Sequence, residues 1–170
     1  LRRRLRSHVE TLCGFDPPRC WGSPGIAAAG TWVRDALHAA TGDSRVQAYD
    51  VVIGRRREKV WNVVTRIGEG PGPLRVIGAH YDAVAGTPGA DDNASAVAVL
   101  LELARLLAAA PGTAGGSVEL VAYTLEEPPA FSTSDMGSAI HAARLRKSKT
   151  RVEGMISLEM VGYFDSNPGS

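Results

Sequence analysis

Apolar residues recur at helical spacing at Leu5, Val9 and Leu12, and again at Ile26, Val33, Leu37 and Ala40, which predicts two helices in the first fifty residues. Phe15-Asp16-Pro17-Pro18 separates them. Two β-rich runs follow, Val46 to Ile53 and Val60 to Ile67. They flank Gly54-Arg55-Arg56-Arg57, so the pattern predicts a hairpin with its arginines at an exposed turn. After a turn over residues 68–73, Leu74 to Ala79 is a short apolar run with little alternation, as expected of a strand covered on both faces, and it ends at His80. Ala94 to Ala110 is apolar or small at nearly every position, Glu102 and Arg105 excepted. This predicts a mostly buried helix against a sheet, stopped by Pro111-Gly112. Ser117 to Thr124 reads as a strand leading into carboxylates, Ser134 to Arg146 as a helix, and Met155 to Met160 as a third buried strand. The β-α-β-α-β order implies an α/β fold, a largely parallel sheet with helices on its faces and right-handed crossovers.

Length and composition limit the reading without directing it. A chain of 170 residues fits one domain, residues 1–170, and such a domain buries roughly 70% of the surface its unfolded chain exposes. With 44% hydrophobic residues, 22% charged residues and a net charge of +1, nothing in the balance points to nucleic acid. Arg2, Arg3, Arg4 and Arg6 form a short basic run that reads as a solvated helix face. Ser7, His8, Glu10 and Thr11 interrupt the apolar run that a signal peptide needs, and no stretch approaches the ~20 apolar residues of a membrane span. No membrane partner is expected. Because the chain begins with Leu1, a leader lost from the sequence would make it secreted or periplasmic, and localisation stays open. Cys13 and Cys20 fit neither a C-x-x-C pair nor a zinc knuckle, leaving two unrelated thiols or a short-range disulfide.

The chemistry gathers where open α/β sheets place their ligand crevice, at the carboxyl ends of strands. His80 and Asp82 follow the first buried strand, Glu126 and Glu127 follow the second, Glu159 lies near the end of the third, and Asp92 stands before the buried helix. One imidazole with several carboxylates is the donor set of a hydrolytic zinc site. Singly, each piece has a plainer reading. His80 could be a satisfied strand-end histidine, Asp91, Asp92 and Asn93 could cap the next helix, and Glu126-Glu127 could be solvated.

Jointly, His80-Tyr81-Asp82, nine residues, Asp92, thirty-three residues and Glu126-Glu127 form an array that resembles the co-catalytic zinc aminopeptidases of metallopeptidase family twenty-eight. Relatives of that family include glutamate carboxypeptidases and glutaminyl cyclases. The segments Gly78 to Asp82, Gly89 to Ser95, Glu126 to Pro129 and Ile156 to Gly162 stand where the family has its metal-site segments. The likeness is loose up to about residue 60 and specific from Asn62 onward. It implies a three-layer α/β/α fold of the zinc-exopeptidase type, with a mixed, largely parallel central sheet whose C-terminal part is missing here.

Carried over residue by residue, the resemblance makes His80 and Glu159 ligands of one zinc, Asp92 the carboxylate bridging two, and Glu127 a ligand of the second. Asp82 would accept the other N–H of His80 and orient its ring. Glu126 would be the general base for a water held by the two ions, and a peptide or small peptide-like molecule would be the substrate. The family more often has Asp where Glu159 stands. A cis peptide at Asp92-Asn93 is also implied. The family's last histidine ligand comes from a segment downstream of the Glu159 strand, so residues 1–170 by themselves are expected to hold zinc weakly and turn over little. His8, His38 and His141 match no ligand position and read as structural or surface residues. The alternatives to an aminopeptidase are a non-catalytic remnant domain and a glutaminyl-cyclase-like acyltransferase. No G-x-S-x-G elbow supports a serine hydrolase.

Overall fold

The computed structural model describes residues 1–69, 72–110 and 116–163. Helix α1 spans Arg2–Cys13 and α2 spans Pro24–Thr41. The Ser23 side chain accepts from the Gly25 N–H with Pro24 in the first turn of α2, and Gly42 ends that helix in the left-handed region at φ 77°, where a residue without Cβ sits freely. Strands β1 (Arg45–Ile53) and β2 (Arg56–Ile67) form the expected antiparallel hairpin. Its turn is tighter than the sequence indicated. Ile53 pairs with Arg56 and Val52 with Arg57, so only Arg55 of the three arginines lies in the turn.

Strand β3 (Leu74–His80) leads through a turn at Ala90–Ser95 into α3 (Ala96–Ala109), followed by β4 (Val118–Tyr123), α4 (Gly137–Lys147) and β5 (Val152–Ser157). The sheet order is β1-β2-β4-β3-β5. β1 and β2 run antiparallel, as do β2 and β4, whereas β4, β3 and β5 are parallel, which is the mixed sheet expected. The connections from β3 to β4 and from β4 to β5 run in opposite directions across the sheet, so α3 and α4 cover opposite faces. One face carries α1, α2 and α3 over a large core that includes Leu37, Val63, Leu100 and Leu120. The other carries α4, whose Leu145 packs on Val64, Val76, Val121 and Tyr123.

In α3 the small side chains of Ala96, Ala98 and Ala104 let the helix lie close to its neighbours, and burying Leu100 or Leu101 stabilises the fold by ~1.5–3 kcal/mol each. Glu102 is buried as well. Burial works against its charge, but Arg4, Arg105 and His8 overcome this and hold its carboxyl below the usual range. Arg4 Nε lies 2.9 Å from Glu102 and so ties the N-terminal basic run to α3.

Two expectations change. The third strand begins earlier than predicted, at Val152, ends at Ser157, and is exposed along its whole length rather than buried. Among the described residues β5 is the sheet edge and pairs only with β3, so the apolar run at Met155 and Ile156 reports a pattern without the cover it normally signals. Helix α4 starts at Gly137 rather than Ser134. The predicted stop at Pro111-Gly112 lies outside the described residues, as do residues 70 and 71 of the turn before β3. Cys13 and Cys20 are both free thiols. No described helix is long and apolar enough to cross a membrane.

Candidate metal centre

The carboxyl ends of β3, β4 and β5 lie side by side, and each feeds a ligand segment. His80 pairs with Tyr123 in register, and the ladder continues as Tyr81 N–H donates to Tyr123 O at 2.8 Å and Leu158 N–H to Gly78 O at 2.8 Å. β4 then turns sharply at Leu125, buried and left-handed at φ 56°, so that the amides of Glu126 and Glu127 point back toward β3. Such a conformation costs a branched residue of order 1 kcal/mol and persists only where surrounding contacts hold it. On the opposite flank the turn before α3 contains the cis Asp92-Asn93 peptide.

Asp91, Asp92 and Asn93 do not cap α3, which has no side-chain cap at its start. Asp91 instead accepts from the Gly162 N–H at 2.8 Å, and Asn93 donates to Leu158 O and Glu159 Oε2, both at 3.0 Å. Asp92 is thereby left facing His80.

His80 is the hub. Its Nε2 lies 3.1 Å from Asp92 Oδ1, 3.5 Å from Glu159 Oε1 and 3.7 Å from Glu126 Oε2. Donor atoms of His80, Asp92 and Glu159 fall within 4.8 Å of one another, and so do those of His80, Glu126 and Glu127. All the expected ligand residues therefore meet at one place, whereas His8, His38 and His141 lie on α1, α2 and α4 and join neither cluster.

Asp82 lies on the Nδ1 side of His80 and has a second set of partners. The Nδ1–H of His80 donates to the backbone carbonyl of Asp82 at 3.2 Å, with the carboxylate at 3.4 Å. A carbonyl can only accept, so Nδ1 carries a proton and Nε2 is the atom turned to the carboxylates. The buried Asp82 carboxylate itself accepts from the N–H groups of Glu126 (3.2 Å) and Glu127 (3.0 Å). It orients the Glu-Glu pair more directly than the imidazole.

The donor set fits a divalent cation. Nε2 of His80 and Oε1 of Glu127 are buried and have no hydrogen-bond partner, a costly state for polar atoms unless something else engages them. Asp92 Oδ1 lies 3.1 Å from Nε2 without forming a hydrogen bond to it. Crowding of negative charge is visible in the acidities. Burial, then Asp92, push the Glu127 carboxyl up to about 7. Burial also leads in raising Glu126 and Glu159. For His80 burial opposes the charged form, but Asp82 and then Glu159 and Glu126 prevail and push the imidazole up to about 9. A cation in this cluster would relieve the repulsion and displace those protons. One imidazole plus carboxylates is zinc-type chemistry.

Beside His80, Glu126 and Glu159 a cleft of about 120 Å³ is lined by Thr124, Met136 and Ser138. Larger hollows of about 590 and 700 Å³ lie against α4 and α1, far less polar and without converging carboxylates.

Two contributors were not read from the sequence. Asn93 fastens the Glu159 segment to the Asp92 turn, also accepting from the Met160 N–H at 3.2 Å. Arg19 is buried beneath the centre, donating to Tyr81 O and Asp82 O at 2.6 and 2.8 Å. The alternation of polar and apolar residues offers no signal for either, since their partners are mostly backbone atoms.

Residues 62–169 match Peptidase family M28. Over 135 residues, or 75% of this chain, it is 51% identical to the uncharacterized protein YfbL of Escherichia coli, and it spans only 40% of that relative's length. Leucine aminopeptidase 1 of Aspergillus fumigatus is 26% identical over 95% of this chain, which spans 44% of it. Among solved structures, a glutaminyl cyclase from an Acidobacteriales bacterium shares the fold with a TM-score of 0.82 at 23% identity, over 94% of this chain and 58% of that one.

Proposed function

The chain belongs to Peptidase family M28, and from that premise we propose that the complete protein is a zinc-dependent aminopeptidase releasing N-terminal residues from peptides. The observation supporting this most directly is the Nε2 of His80, buried without a hydrogen bond and facing oxygens of Asp92, Glu126 and Glu159. His80 and Glu159 would hold one ion, Asp92 would bridge to a second, and Glu127 would hold that second ion. Zinc, when bound, supplies Lewis acidity that polarises a scissile carbonyl and makes water more acidic.

Glu126 is the base. Its carboxylate is partly exposed to the cleft and lies 3.7 Å from His80 Nε2, so it is placed to accept a proton from the attacking water. The water oxygen bonds to the carbonyl carbon, the C–N bond breaks, and Glu126 returns the proton to the departing amine nitrogen. Burial raises its pKa, which brings it nearer the working range of such a shuttle. Asp82 keeps both glutamates in place through their amides.

In the complete protein, Glu126→Gln should keep its zinc while turnover of amino-acid arylamides falls ~10²–10⁴-fold. Undiminished turnover removes Glu126 from this role. The likeness of fold to a glutaminyl cyclase motivates one rival reading, acyl transfer within an N-terminal glutamine. Pyroglutamate formation without arylamide hydrolysis would favour it.

A further inference from the structure

Arg19 belongs to no sequence motif, sits in the turn between α1 and α2, and is 1% exposed. A guanidinium has five N–H donors, and here every direction is used on main-chain carbonyls. Nε donates to Leu12 O at 3.2 Å, Nη1 to Tyr81 O at 2.6 Å and Asp82 O at 2.8 Å, and Nη2 to Pro88 O at 3.1 Å and to Gly89 O. The Arg19 carbonyl also accepts the Ala83 N–H at 3.1 Å. Among the described residues no carboxylate pairs with the cation, but Asp82, Asp92 and Glu127 act on it through space.

The positions of these carbonyls matter. Tyr81 and Asp82 directly follow His80, while Pro88 and Gly89 directly precede the turn that carries Asp92. The guanidinium fork therefore gathers both ends of the segment connecting the two ligands. Closure is tight. Gly89 adopts φ 61°, and a Cβ there would collide with Nη2 of Arg19. The Asp82 carbonyl is shared, accepting from Arg19 Nη1 and from His80 Nδ1–H. A shift of that one oxygen would turn the imidazole, and the Asp82 carboxylate would carry the shift to Glu126 and Glu127.

We propose that Arg19 is a positioning residue for the metal centre, holding the 81–89 loop so that His80 and Asp92 are set for a cation before it arrives. The inference rests on the zinc reading of the site. Lysine could not replace it, since an ammonium has three donors and no planar fork to serve two pairs of carbonyls at once.

The test uses the complete protein, with zinc affinity measured by chelator competition and the thermal midpoint of the metal-free form measured in parallel. Arg19→Ala should bind zinc roughly 10–100-fold more weakly, the range typical of lost partners behind metal ligands, and Arg19→Lys should lie between it and the parent. Added guanidinium, well below denaturing concentration, should restore part of the affinity of Arg19→Ala. A purely structural arginine would lower the midpoint and leave zinc affinity unchanged, and that result overturns the proposal. If Arg19→Ala does not fold, undiminished affinity in Arg19→Lys overturns it equally. A parent protein that binds no zinc overturns the metal-centre reading itself, which separates that failure from a failure of the clamp.

Discussion

Replacing Asp82 by asparagine changes almost no volume and therefore isolates the work of one buried carboxylate. Oδ1 accepts from the Glu126 N–H at 3.2 Å and Oδ2 from the Glu127 N–H at 3.0 Å, while His80 Nδ1 lies 3.4 Å from Oδ1. An amide keeps one acceptor and presents an NH₂ group to the other N–H, so one charge-assisted bond is lost and a buried donor is left without an acceptor. Bonds of that kind contribute ~1.5–3 kcal/mol, which at 1.4 kcal/mol per decade is a factor of ~10–150. The loss falls on the two residues that the proposed chemistry needs most. Asp82→Asn in the complete protein should therefore weaken zinc binding ~10–100-fold in a chelator competition and lower kcat for arylamide hydrolysis at saturating zinc. Equal zinc affinity and equal kcat would refute the reasoning, because they would show that the Glu126-Glu127 turn keeps its geometry without an ionised partner.

Two further outcomes follow. In the metal-free protein the Glu127 carboxyl is raised to about 7 and the His80 imidazole to about 9, so folding favours the protonated form of each. Glu127 then contributes stability below about pH 4.5 that is lost as pH rises through about 7, and His80 contributes stability below about 6.5 that is lost through about 9. Zinc needs both groups deprotonated, so the rise in thermal midpoint on adding zinc should grow from about pH 6 to about pH 8, and equal increments at both ends would count against the assignment. Leu100→Ala, in the fully buried stripe of α3, should lower the unfolding free energy by ~2–5 kcal/mol in denaturant titrations with little change in zinc stoichiometry.

How much of this was legible depends on the kind of partner each residue has. The hairpin of β1 and β2 follows from β-rich runs on either side of the Gly54 turn, and the central strands follow from mostly apolar runs with little alternation, because the pattern of apolar side chains records which faces are covered. His80, Glu126, Glu127 and Glu159 fall at or near strand ends and Asp92 before α3, but what singled them out was the spacing of the whole array and its resemblance to a known family, and their donor atoms do lie together. The exposure of β5 was not legible, since Met155 and Ile156 look the same in sequence whether or not anything lies over them. Arg19 and the amide contacts of Asp82 escaped for a different reason. Their partners are backbone carbonyls and N–H groups, which every residue possesses, so no residue pattern marks them. The same holds for Asn93, which reads as a helix cap and serves as a fastener.

The outer rim of β5 gives residues 1–170 a particular colloidal character. Val152, Met155 and Ile156 are exposed at 40%, 47% and 58% beside a ladder with no neighbour among the described residues on its far side. An exposed apolar rim of that kind is a ready template for another extended chain. A longer polypeptide that lays further strands along it would conceal the template, whereas the stretch produced alone would tend to stick to its own copies and form insoluble deposits.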